Sequence, residues 1–196
     1  MRRSDQTRRR FLQTTAAAGL AAPYFFTGEK LFAQGSDKND RPIMGCIGTG
    51  SRWNAVGPNA MAFADCVAVC DVDANHAEKA AVKVEKTQGK KPEIHEDYQK
   101  VLDNKDIDVV TIVTTDHWHS KIAIEALKAG KDVYCEKPLT LTIEEGKLIN
   151  QTVKETGGVF QVGTQQRSEM NLMFLKAVAL CHAGRLGDIK NIHVAI

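Results

Sequence analysis

From residue 42 to about residue 166, short apolar runs alternate with stretches whose apolar residues recur at helical spacing, and this alternation limits the chain to a narrow set of folds. "PIMGCIG" (42–48) leads into "AVGPNAMAFA", helical in composition but interrupted by Pro58, and "CVAVCD" (66–71) leads into "ANHAEKAAVKVEKTQG", which Gly89 stops. "EIH" reads as a short third strand before "DYQKVLDN", where Asp97 is placed to cap a helix. "DVVTIVT" (108–114) is rich in β-branched residues, and "HSKIAIEALKAG", "DVYC", "TIEEGKLINQTVKETGG" and "VFQVGT" continue the pattern. Such repetition predicts parallel strands joined by crossover helices, a doubly wound α/β sheet. Right-handed crossovers gather the loops that follow the strands along one edge, where ligands bind.

The head of the chain reads differently. The first 33 residues hold six Lys/Arg against two acids, which leaves 20 basic and 22 acidic residues in the remainder. That remainder has no basic excess of the kind a nucleic-acid partner requires. Thr7-Arg8-Arg9-Arg10-Phe11-Leu12, followed by the moderately apolar "FLQTTAAAGLAAPYFF", resembles the bacterial twin-arginine export signal. The apolar segment is shorter than the roughly 20 residues that a spanning helix needs, so a cleaved signal is expected rather than an anchor. The resemblance implies the twin-arginine translocase as a partner and a periplasmic or other extracytoplasmic destination. Expected boundaries are 1–33 for the signal, 34–41 for a polar linker, 42–166 for the nucleotide-binding domain, and 167–196 for a junction helix and the start of a second, incomplete α+β domain. "IKNIHVAI" is read as the first strand of that second domain.

Five cysteines show no metal-type spacing. Cys66 and Cys70 share one predicted strand, where four residues span about 13 Å, beyond disulfide reach, so buried thiols are expected. His117-x-His119 at a strand end also admits a metal pair, but a helix begins at once and no further ligand cluster completes a site. No metal is expected.

Gly48-Thr49-Gly50 follows a strand and precedes a helix, and Asp71 closes the next strand 21 residues after Gly50. The first glycine permits a tight turn, the second lets the backbone approach a pyrophosphate, and Asp71 can accept hydrogen bonds from adenosine ribose hydroxyls. Trp53 stands where the fingerprint expects a third small residue. An indole does not fit a tight helix–strand contact, so Trp53 is expected to point away from the sheet and the helix to start slightly displaced.

With "TTDHWHS" after the fourth strand and "EKPLT" after the fifth, the order strand-GTG-helix, strand-CDVD, strand-TTDHWH, strand-EKP resembles the Gfo/Idh/MocA family of nicotinamide-dependent oxidoreductases over roughly residues 42–196. "GTQQRS" and "GRLGDIKNIHV" are similar to that family's junction into its second domain. The resemblance implies a Rossmann-type domain that binds NAD, with NADP as the alternative. Gly48, Thr49, Gly50 and Ser51 would meet the pyrophosphate and Asp71 the ribose, where its charge favours NAD while Arg52, a further cofactor-side candidate, speaks for NADP; Thr114, Thr115 and His119 would line the nicotinamide half. Glu136 and Lys137 would belong to the Glu-Lys-Pro motif, whose Lys-Pro bond can be cis. Lys137 and His119 are the catalytic candidates, and Lys137, Gln166 and Arg167 the substrate candidates. Hydride transfer from a carbinol requires a proton to leave its oxygen, and the like charge of an oxidised nicotinamide favours release of an ammonium proton, which suits Lys137 to that role.

The implied function is an exported NAD-dependent oxidoreductase acting on a sugar, polyol or similar polyhydroxylated small molecule. The family assembles as homo-oligomers through the second domain, and these 196 residues alone are expected to bind dinucleotide weakly without turnover. An NAD-dependent glycoside hydrolase working by transient oxidation is one alternative; a nucleotide-binding sensor that has lost turnover is another.

Overall fold

The computed structural model describes residues 41–167 and 172–193, and the twin-arginine stretch lies outside them. The described residues from Pro42 onward belong to one compact unit. Its elements are β1 (Ile43–Ile47), α1 (Trp53–Ala60), β2 (Asp65–Cys70), α2 (Ala74–Gln88), β3 (Glu93–His95), α3 (Tyr98–Asp103), β4 (Val109–Ile112), α4 (His119–Lys128), β5 (Asp132–Glu136), α5 (Ile143–Thr156), β6 (Phe160–Gly163) and α6 (Met173–His182). Short 3-10 turns precede α4 (Asp116–Trp118) and follow β6 (Gln165–Arg167).

All six strands are parallel, in the order β3-β2-β1-β4-β5-β6. The chain winds outward from β1 to β3, then returns to lay β4 on the other side of β1, so the winding direction reverses between β1 and β4. In a sheet of this kind that reversal opens a crevice at the carboxyl ends of the strands.

Local chemistry sets the helix ends, Asp97 and Gly89 as expected from the sequence. Asp73 and Asp97 cap α2 and α3 by accepting the Asn75 and Gln99 amides, and Thr142 with Glu145 closes a capping box on α5. Gly89 and Gly157 end α2 and α5 in the left-handed conformation.

Two buried layers sandwich the sheet. One packs α3 and α4 on Ile47, Val110, Ile112 and Val133; the other packs α1 and α2 on Met44, Cys46 and Val69. All five cysteines are unpaired, with Cys46, Cys66, Cys70 and Cys135 buried. Burial pushes the Cys70 and Cys135 thiols up to about 12, so they are inert.

Trp53 corrects its expectation. It is 1% exposed and packs in the α1/α2 layer with Met44 and Cys46 of β1, between helix and sheet. The space comes from Gly57, one turn along α1: a Cβ there would lie 2.2 Å from the indole Cε2. Pro58 does not end α1. Proline lacks the amide that would bond the carbonyl four residues back, and here the Lys83 ammonium donates to that carbonyl, Asn54 O, at 3.3 Å.

The expected strand over 189–196 also differs. Residues 189–193 are in no strand, and 194–196 lie outside the described residues. A strand takes its hydrogen bonds from a neighbour, and no ladder among the described residues includes this segment. The helix before it forms as expected, as α6, with none of its side chains buried.

Gly57→Ala should therefore destabilise the domain by about 1–3 kcal/mol despite alanine's better helix propensity, because the indole has nowhere to move. Urea unfolding would measure this, and a Trp53→Leu background should recover much of the loss.

Candidate dinucleotide site

Gly48 follows β1 with φ +82°, and its amide donates to Cys70 O at the end of β2 (2.8 Å). A Cβ here would stand 2.6 Å from the Val113 carbonyl, so both backbone conformation and close approach demand glycine. The Thr49 amide donates to Asp71 Oδ2 at 2.7 Å, and its hydroxyl to the same oxygen at 3.3 Å. Asp71 Oδ1 accepts the Asp73 amide at 3.0 Å. The carboxylate read as a ribose acceptor is thus also the clasp that holds the glycine loop to β2.

Beyond this clasp the amides of Gly50, Ser51 and Arg52 find no protein acceptor among the described residues; the α1 bonds begin with Trp53 N to Gly50 O. Three successive free donors at a helix N-terminus form an anion cradle. The space over Gly50 is open, the nearest atoms to a Cβ there being His76 Nδ1 and Cε1 at 3.9 and 4.0 Å. The residues present fit a dinucleotide diphosphate.

Across the crevice, Glu136 ends β5 with 2% exposure. Its Oε1 accepts Arg52 Nε and Nη2, both at 2.9 Å, and Gln165 Nε2; its Oε2 accepts the Lys137 amide at 3.0 Å. One buried carboxylate joins the loops after β1, β5 and β6. The Lys137–Pro138 bond is cis. The Lys137 side chain is exposed, and its ammonium has no hydrogen-bond or ion-pair partner among the described residues.

His119 departs from the expectation of a catalytic, cofactor-lining group. It is 1% exposed, with Nδ1 2.7 Å from Pro138 O and Nε2 3.1 Å from Thr114 O. Both nitrogens face backbone carbonyls, and a neutral ring donates to one of them, so the ring ties the loop after β4 to the Glu-Lys-Pro turn with little surface exposed. Thr114 is half-buried, and Ser51 and Thr115 are exposed at the same edge. Gln166 is exposed without a hydrogen-bond partner among the described residues, and the Arg167 side chain lies outside them. The neighbour that does enter the site is Gln165, which also donates to Tyr134 Oη at 2.9 Å.

His76, which the sequence leaves without a partner, lies in the first turn of α2 with Nδ1 4.0 Å from Asp71 Oδ2 and 3.9 Å from Asp73 Oδ2. A cavity of about 380 Å³ flanks α1, lined by Met44, Arg52, Asn59, Phe63, Tyr134 and Gln165; it includes none of Gly48, Gly50, Asp71 and Lys137.

The family model for Gfo/Idh/MocA proteins, described as an oxidoreductase family with an NAD-binding Rossmann fold, matches residues 43–164. The chain belongs to this family. Among curated relatives, it is 46% identical over 72 residues to scyllo-inositol 2-dehydrogenase (NAD(+)) of Bacillus subtilis, covering 37% of this chain and 21% of that protein. It is 30% identical over 145 residues to a glycosyl hydrolase family 109 protein of Shewanella, covering 71% and 32%. Scyllo-inositol dehydrogenase from Lactobacillus casei, solved with bound NAD(H) and scyllo-inositol, superposes with a TM-score of 0.66 at 26% identity over 76% of this chain and 43% of that one. The chain spans less than half the length of the relatives it matches. As a Gfo/Idh/MocA domain it is an NAD-binding Rossmann fold.

Glu136→Gln should leave Arg52 without its counter-charge and turn one acceptor oxygen into a donor. The expected loss is about 1–3 kcal/mol in urea unfolding. A conservative Gln165→Glu change, which sets two carboxylates together, should cost at least as much.

Proposed function

We propose that this chain forms the cofactor-binding part of an exported NAD-dependent dehydrogenase that oxidises a polyhydroxylated small molecule, an inositol, sugar or related polyol. The observation that carries the reading is the unpartnered, exposed Lys137 side chain, whose backbone is fixed by buried Glu136 at the edge where the amide cradle opens. A bound nicotinamide supplies the hydride acceptor. Gly50, Ser51 and Arg52 amides hold the diphosphate and Asp71 accepts from the adenosine ribose, while Thr114 and Thr115 border the nicotinamide half. As the neutral amine, the form that the like charge of an oxidised nicotinamide favours, Lys137 would orient the substrate hydroxyl and take its proton as the carbon is oxidised. Gln166 and Arg167 follow β6 on the substrate side. Export by the twin-arginine translocase rests on Thr7–Leu12 alone, and homo-oligomer assembly on the family resemblance.

A second reading, an NAD-dependent glycoside hydrolase, is favoured by the Shewanella relative. One assay separates the two: the protein is incubated with NAD⁺ and a panel of inositols and aldoses, and separately with aryl glycosides. The proposal expects NADH to accumulate with a polyol and no aglycone release. Aglycone release without net NADH would replace it. Lys137→Ala should lower kcat by about 10²–10⁴-fold while leaving the NADH dissociation constant within a few-fold. A variant as active as the wild type would remove Lys137 from the chemistry.

A further inference from the structure

Two of the buried cysteines meet. Cys46 on β1 and Cys66 on β2, twenty positions apart, belong to the α1/α2 layer with their Sγ atoms 3.7 Å from each other, whereas Cys70 and Cys135 belong to the layer on the opposite face of the sheet. A bulge brings the pair together. The β1–β2 register runs from Met44 opposite Cys66 to Gly45 opposite Ala68, so Val67 is the extra residue, and Cys66 comes to share a face with Val69, the partner of Cys46.

The two sulfurs have unlike surroundings. Around Cys46 stand the Thr111 hydroxyl and the Trp53 indole N–H, donors that no other group among the described residues accepts from. Beside Cys66 stands an acceptor, Ala68 O, 3.6 Å from Sγ. Of the two, Cys66 is therefore the one that keeps its proton. Donation from Cys66, with help from Thr111 and Trp53, lowers the Cys46 thiol against the opposing effect of burial, while the same contact and burial push Cys66 up. Both side chains are buried, so only a small reagent reaches them. The cavity of about 380 Å³ beside α1 gives it a route: Met44, Ala64 and Thr111 line that cavity, and Thr111 is also the neighbour of Cys46.

We propose that Cys46 and Cys66 form a dithiol site for hydrogen peroxide, which closes to a disulfide and staples β1 to β2. The Cys46 thiolate attacks one peroxide oxygen, the O–O bond breaks, the departing hydroxide takes up the proton that Cys46 gave up, and Cys46 is left as a sulfenic acid. The Cys66 sulfur then attacks Cys46 Sγ, the S–O bond breaks, and the hydroxyl leaves as water with the Cys66 proton. Two thiols and one peroxide thus give one disulfide and two waters: each sulfur loses one electron and the peroxide gains two. From 3.7 Å the sulfurs have to approach by about 1.7 Å to reach the bonding distance of about 2.05 Å. No residue of the dinucleotide site takes part.

The test treats the folded 196-residue chain with hydrogen peroxide, then unfolds it, blocks the remaining thiols with N-ethylmaleimide and maps tryptic peptides by mass. Cys46 and Cys66 fall in different peptides, separated at Arg52. The expected product is that peptide pair cross-linked, about 2 Da lighter than the two free peptides together and separated by reduction, with Cys135 still carrying maleimide. Cys70 shares the Cys66 peptide, so a Cys70→Ala variant should keep the cross-link. Cys66→Ala should stop at the Cys46 sulfenic acid, which dimedone traps. Recovery of both Cys46 and Cys66 as maleimide adducts, at a peroxide dose that fully oxidises the exposed Cys181, would overturn the inference. So would a cross-link that Cys70→Ala abolishes, or a Cys66→Ala chain with the wild-type circular dichroism whose Cys46 takes no dimedone.

Discussion

The site hangs on one buried carboxylate. Glu136 receives the guanidinium of Arg52 from the loop after β1, the amide of Gln165 from the turn after β6, and the backbone N–H of Lys137 beside it. β1 and β5 are separated in the sheet by β4, so the Arg52–Glu136 pair crosses the crevice that the strand order creates. A carboxylate with so little exposure is tolerable only with this number of donors, since an uncompensated buried charge is costly. The same donors tie three loops together, and the backbone of Lys137 is held by its own amide while its ammonium stays free.

A second carboxylate does matching work on the other side. Asp71 clasps Thr49 and thereby sets the turn that leaves Gly50, Ser51 and Arg52 with unspent amides. His119 completes the scaffold by bracing Thr114 O against Pro138 O. The three free amides of the site are thus held by groups that are themselves engaged. Such division is what a preorganised binding edge requires, because these donors are aimed before any ligand arrives.

Much of this was legible from residue order. Strand and helix alternation, the Asp97 cap and the glycine stop at Gly89 are local signals, and the alternation predicted the parallel sheet and the edge that carries Gly48, Asp71 and Glu136. What stayed hidden was long-range. Arg52 and Glu136 are 84 positions apart, and nothing local to either names the other. His119 was read as a cofactor-side group, but its partners are two backbone carbonyls, which have no sequence signature. Trp53 was judged against the fingerprint position alone; the vacancy that receives its indole is Gly57, one helical turn on, where the compensation could have been read.

The central claim is that the amides after β1, clasped by Asp71 and faced by the Glu136-held loop, are the cofactor cradle. The most direct measurement is a titration of the ¹⁵N-labelled chain with NADH, followed by amide chemical shifts. The largest shifts are predicted at Gly50, Ser51 and Arg52, with weaker ones at Thr114, Thr115 and Lys137, and little at Asn59 and Phe63 on the flank of α1. Shifts concentrated around that flanking cavity, with Gly50, Ser51 and Arg52 unmoved at saturation, would contradict it.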